Sequence, residues 1–243
     1  MFEPPAVVPR AVLPIERAAA AFEVFLCSGL PTQLIIVTVL TTFGIEPFVG
    51  GQISPSFVFS ETLLDTVVLV GLILFFLRAH RESPRQMFLA ARPHTRELLF
   101  GVALIPTSYV VVMSVLMLLQ LVLPGLRNVP RNPLQDLAHT RAEAIVFGVV
   151  VIIAGGVREE VQRAFVLRRF EQYLGGGVVG LVLFSAIFGL GHLPQGHDVA
   201  IATAILGAFW GAIYLRRRSI LGPMVGHAGF NLAEVVKFVI VGG

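Results

Sequence analysis

Cysteine is almost missing: Cys27 is the single one among 243 residues, and it lies inside an apolar stretch. That excludes an intrachain disulfide framework and a cysteine metal cluster. Lysine is as scarce, with Lys237 alone and arginine supplying the rest of the positive charge. Charge of either sign is sparse too. Asp, Glu, Lys and Arg make up 14% of the chain, where a soluble domain carries roughly a quarter. No internal repeat, low-complexity tract or soluble domain is visible. Met1 to Arg17 contains Pro4, Pro5, Pro9 and Pro14. It lacks the basic region and continuous apolar run of a cleaved signal peptide, and reads as a cytoplasmic lead-in.

In place of charge the chain carries 56% hydrophobic residues and a mean hydropathy of +0.84. Apolar surface on that scale needs lipid as its solvent. The partner this implies is the bilayer. No nucleic-acid partner is expected, because the arginines lie between apolar segments and topology accounts for them.

Seven apolar stretches can be drawn, at 18–44, 57–77, 98–123, 142–173, 176–193, 199–215 and 220–241. Each approaches the roughly 20 residues that a membrane-spanning helix requires. Pro31 kinks the first or splits it in two. The expected fold is all-α, a polytopic transmembrane helix bundle of seven or eight spans. It divides into the lead-in 1–17, N-terminal transmembrane helices 18–141 and a C-terminal helical core 142–243. With the N-terminus inside, the inner segments hold Arg10, Arg17, Arg78, Arg81, Arg85, Arg92, Arg96, Arg168, Arg169 and Arg216 to Arg218. Only Arg127, Arg131 and Arg141 fall outside, as the positive-inside rule asks. The expected location is the cytoplasmic membrane of a prokaryote, although composition does not decide between membranes. The segment from Ser83 to Glu97 reads as a basic loop or as an interfacial amphipathic turn.

Ionisable groups within spans are costly and usually face the bundle interior. Three polar clusters occupy the second half. The first is Arg158-Glu159-Glu160-Val161-Gln162-Arg163, where Glu159 and Glu160 stand four and three residues before Arg163 and can meet it on a helix face. Adjacent carboxylates beside an arginine offer a base and groups to hold it. If the helix leaves the membrane at Val157, they are instead solvated charges. The second is Phe188-Gly189-Leu190-Gly191-His192; its histidine alone reads as readily as a structural residue, and its glycines admit a close neighbour. The third is His227-Ala228-Gly229-Phe230-Asn231. His227 and Asn231 share a face and suit metal binding, a clamp on a carbonyl oxygen, or helix–helix hydrogen bonding. If helices four and five turn at Gly175 to Gly177, Glu159 and His192 each lie about 20–22 Å from the turn, at matching depth.

These clusters, in this order, resemble the CPBP family of CAAX proteases and bacteriocin-processing enzymes. Its pattern is a Glu-Glu pair followed by an arginine, then Phe-x-x-x-His, then His-x-x-x-Asn. Phe188 to His192 and His227 to Asn231 match it, over a region from Ala142 to Val241. The first motif is one residue short, with only Val161 and Gln162 between the glutamates and Arg163. Aligned on Arg163, the pair becomes Arg158 and Glu159; aligned on the glutamates, it is Glu159 and Glu160. Glu159 belongs under either alignment.

The resemblance implies an intramembrane endopeptidase acting on a peptide or a prenylated protein. Glu159, with Glu160 second to it, would be the base, assisted by His192. His227 and Asn231 would donate to the oxyanion, and Arg163 would orient the glutamates. No cofactor is favoured; the alternative is zinc on Glu159, His192 and His227, although no His-Glu-x-x-His stretch is present. Two other readings stand beside this one. A non-catalytic scaffold or chaperone of the same fold would suit the shortened motif. A transporter would line a path with Glu61, Asp65, Glu159, His192 and Glu234.

Smaller expectations concern single residues. Glu234 should pair with Lys237, and Asp198 should cap the sixth helix. His197 is assigned no chemistry. Trp210 and Tyr214 should pack in the bundle or anchor it at the interface.

Overall fold

The structure is a computed structural model describing residues 11–138 and 140–241. The first ten residues of the expected lead-in therefore lie outside the described residues. Helix α1 (Pro14–Leu26) begins inside that lead-in, with Pro14 at its first position, where a missing N–H and a preset φ cost nothing. It ends at Cys27, and α2 (Leu30–Thr42) starts after Gly29, whose φ is +90°. The first apolar stretch is thus split, as Pro31 suggested. A two-residue ribbon, β1 (Phe48–Val49) and β2 (Gln52–Ile53), links it to α3 (Pro55–Ala79), which is capped by Ser54.

The basic segment after α3 is not a loose loop. It forms the short helix α4 (Pro84–Phe88) with Met87 and Phe88 buried. Tyr214 donates to the Met87 carbonyl at 3.2 Å and the Ile220 amide to the Phe88 carbonyl at 2.8 Å. Helix α5 (His94–Val122) follows. Next comes one unbroken helical rod: α6 (Arg141–Val151), a π-helical segment at Ile152–Arg158, and α7 (Glu159–Tyr173). Gly175 and Gly176, at φ +98° and +103°, turn the chain into α8 (Gly177–Leu190). Helices α9 (His197–Arg217) and α10 (Leu221–Val241) complete the bundle.

All seven apolar stretches are helical, and the all-α fold is borne out. The number of spans is lower than the expected seven or eight. Among the described residues four helical segments are long and apolar enough to cross a membrane: Pro14–Thr42, Pro55–Ala79, His94–Val122 and His197–Arg217. Helix α8 is apolar but short. The rod through α7 carries its charges in mid-length, and α10 carries His227, Asn231, Glu234 and Lys237.

The reason lies in where α7 sits. It is the most polar of the long helices, yet Glu160, Val161, Gln162, Arg163, Ala164, Phe165, Val166, Leu167 and Arg169 are all buried. Around it pack Leu69, Ile73 and Leu77 of α3, Cys27, Tyr214 and Ile220. The apolar side chains of α5, among them Val110, Met113, Met117 and Leu121, face outward instead. Where the surrounding medium is hydrocarbon, apolar side chains satisfy the perimeter and polar ones must find partners inside.

Close helix contacts depend on small residues. A Cβ on Gly189 would stand 2.6 Å from the Ala200 carbonyl and 2.7 Å from the Ala204 Cβ. That glycine therefore admits α9, as expected; Gly191 meets only its own backbone neighbours.

Candidate active site

Three segments build the site: the π-helical turn with the start of α7, the end of α8, and the first half of α10. A π turn holds an extra residue, so everything after it is rotated by about 100° relative to an uninterrupted α-helix. Glycines at its centre let α10 approach. A Cβ on Gly156 would stand 2.6 Å from the Ala228 Cβ. A Cβ on Gly155 would collide with the Asn231 amide and lie 3.6 Å from His227 Nε2. The space Gly155 leaves is filled by the Asn231 side chain beside His227.

Glu160 is fully enclosed. One carboxylate oxygen accepts from the Arg163 guanidinium and, at 2.9 Å, from His227 Nδ1. A carboxylate only accepts, so Nδ1 carries the proton and Nε2 faces the opposite way. On that side Glu159 Oε2 stands 3.7 Å from Nε2, too far for a direct hydrogen bond. The Glu159 side chain is 16% exposed against 1% for Glu160. The first of the paired carboxylates is thus reachable, while the second is spent on holding its neighbours.

Arg163 is buried with its guanidinium carbon 5.2 Å from the Phe188 ring centre, 5.5 Å from Phe184 and 5.7 Å from Trp210. Its Nε and one terminal nitrogen find no hydrogen-bond partner among the described residues. Aromatic faces surround the charge there, the arrangement in which cation–π attraction is strongest. Trp210 also stacks on the His227 ring at 3.8 Å between centres and donates to Ser108 Oγ at 3.2 Å. Of the two readings for Trp210 and Tyr214, bundle packing is the one realised.

His192 stands at the end of α8, half-buried. Its Nδ1 lies 2.8 Å from the Phe188 carbonyl, which can only accept, so Nε2 holds the free lone pair. Its ring lies 4.8 Å from the Phe188 ring, which also stands 6.4 Å from the His227 ring. One aromatic side chain therefore touches both histidines. The structure unites Glu159, Glu160, Arg163, His227 and Asn231 directly, and connects His192 to them through Phe188.

One pairing was not foreseen from the sequence. Asp65, fully buried on α3, pairs with Arg158 and accepts from Thr32. Arg158 in turn donates to Glu159 Oε1 at 3.2 Å. The apolar run around Asp65 marked it as expensive, but nothing in its spacing named a counterion 93 positions away. Glu61 stands one helical turn before Asp65, and Glu234 pairs with Lys237 at 2.7 Å, as expected. Asp198 is not the cap of α9. The helix starts one residue earlier, and Asn128 accepts from the His197 amide at 2.8 Å. Asp198 instead holds the Val199 amide at 2.9 Å from within the first turn.

The donor set does not converge on a metal. Among the described residues no three His, Cys, Asp or Glu side chains come together in a way that could hold an ion. His227 Nδ1 is committed to Glu160.

Apolar helices closed around a carboxylate–histidine cluster define an integral membrane protein with its polar site inside the bundle. Comparison with known families is more specific. Residues 141–233 match the family model described as type II CAAX prenyl endopeptidase Rce1-like. The match runs from α6 into α10 and contains all three polar clusters, so the resemblance to CAAX-type intramembrane proteases is borne out over that region. No curated protein and no solved structure matches the chain.

Proposed function

We propose that this protein hydrolyses a peptide bond at the membrane, with Glu159 as the base that activates water. The observation that carries the proposal is the meeting of the first and third clusters. His227 bonds Glu160 while its free nitrogen stands 3.7 Å from Glu159. A water beside Glu159 can give up its proton there as its oxygen attacks the scissile carbonyl. Glu160 and Arg163 fix the imidazole. In its protonated form His227 offers Nε2–H to the developing oxyanion, with the Asn231 amide as second donor, and such donors contribute several kcal/mol in a dry, preorganised site. His192, whose Nε2 is free, assists the water or returns a proton to the departing amine.

The family match supports a peptide or a prenylated protein as substrate, and the lipid-facing helices support its arrival from the bilayer. The arginine distribution supports an N-terminus on the cytoplasmic side of a prokaryotic membrane. The shortened first motif suits a non-catalytic scaffold, yet Arg163 still reaches Glu160 across that short spacing.

The test is cleavage of a quenched fluorescent CAAX-type or hydrophobic peptide by detergent-purified protein. Turnover lost in Glu159→Gln and His192→Ala, and kept under rigorous chelation, is the expected result. Turnover retained in Glu159→Gln would remove it as base. Loss on chelation with recovery on added zinc would restore the metal alternative.

A further inference from the structure

The first half of the chain lies outside the family match, yet one of its side chains reaches the site. We infer that Asp65 on α3 is a positioning residue for Glu159, acting through Arg158; the inference rests on the proposed role of Glu159.

Asp65 is fully buried in a helix long and apolar enough to cross a membrane. A carboxylate there persists only with a partner and marks function by default. Both its oxygens are used: one accepts from Thr32 of α2, the other from Arg158. The second arm of Arg158 reaches Glu159 Oε1 at 3.2 Å, while Glu159 Oε2 is the atom turned toward His227. The bonded series Thr32, Asp65, Arg158, Glu159 thus runs from the N-terminal helices to the reactive carboxylate. It holds Glu159 by one oxygen and leaves the other for chemistry.

The division of the guanidinium is the important feature. Asp65 holds one terminal nitrogen of Arg158, and Glu159 receives only the weaker contact from the other. Without the Asp65 charge, Arg158 is free to turn its planar fork on Glu159 and bind both oxygens. A carboxylate so clamped is displaced from His227 and poorer at taking a proton. The defect belongs to the chemical step, because the substrate touches neither Asp65 nor α3 in this scheme.

Steady-state kinetics on the quenched peptide test this in wild type, E159Q, D65N, R158M and D65N/R158M, with thermal unfolding as the check on folding. D65N is expected to lower kcat by about 100-fold, the scale of a misplaced catalytic group, with KM changed less than about threefold. Removing the guanidinium as well, in D65N/R158M, is expected to recover about tenfold in kcat, a coupling that a purely structural defect would not give. An unchanged kcat in D65N, or a further fall in the double variant, overturns the inference. If D65N does not fold, T32V carries the test. It removes the hydroxyl that bonds Asp65 and the Gly29 carbonyl while keeping the Asp65 charge, and should lower kcat by about threefold at constant KM, and no change overturns the idea. Activity surviving in E159Q, or no turnover by folded wild type, removes the role of Glu159 and this inference with it. Activity lost in E159Q but intact in D65N removes the inference alone.

Discussion

Arg163 shows how much one side chain decides here. It is buried, paired with Glu160 and enclosed by three aromatic rings. Removing one partner of a buried pair leaves an uncompensated charge and costs about 3–5 kcal/mol. Arg163→Met should therefore lower the unfolding temperature in detergent substantially, and a near-wild-type melt would show that the aromatic cage and not the pair stabilises this core. Gly155→Ala is a sharper probe of the site itself. The added methyl meets the Asn231 amide, so that side chain must leave its place beside His227. Loss of one oxyanion donor reduces kcat by about 100-fold to 1000-fold, and kinetics with KM nearly constant would check it. At this scale the sequence was partly legible. The residues of all three clusters could be named. The Trp210 stack and the Asp65 counterion could not be named, because each depends on which face of a distant helix turns inward.

At the level of elements, the π-helical segment stands out. It lies immediately before the glutamates, and its extra residue sets the direction in which they leave the helix. Inserting one residue between Arg158 and Glu159, beyond the turn that already holds its extra residue, should rotate Glu159 and Glu160 by about 100° against the rod before them. Helix content by circular dichroism should be unchanged while peptide cleavage disappears. Cleavage that survives the insertion would mean that α7 can adjust its own register. The sequence marked this stretch as one long apolar-to-polar helix and gave its ends within a few residues. The change in winding was invisible to it, since the run from Ala142 to Val157 passes through Gly155 and Gly156 without a break. The α9 cap was missed for a similar reason: Asn128 reaches the His197 amide from a loop far back in the chain.

For the whole molecule the two halves are tied by charge. Arg169, buried on α7, bonds Glu23 of α1 at 2.6 Å and Glu82 beside α4 at 2.8 Å, and His80 bonds Glu23 at 2.5 Å. Arg158 depends on Asp65 in the same way. A fragment spanning 141–243 keeps every motif residue but strips the buried Arg169 of both its carboxylates, at a cost of several kcal/mol, and takes Asp65 from the half-buried Arg158. Expressed alone it should aggregate on size exclusion in detergent, and co-expression with 1–140 should restore a monodisperse, active particle. A monodisperse fragment would mean that the matched region folds by itself.

Composition was enough to place the chain in lipid, and apolar periodicity was enough to delimit its seven helical stretches, because both depend on local hydrophobicity. The order of polar clusters was likewise enough to carry the resemblance to CAAX-type intramembrane proteases, since residue types and spacing are written along one strand of chain. Where each stretch sits was decided in three dimensions, where α7 becomes the polar centre and the apolar helices become its wall. So was the division of labour between Glu159 and Glu160. Adjacent in sequence and identical in chemistry, they differ because Arg163 and His227 close on one while Arg158, held by Asp65 from the other half, steadies the second and leaves it open.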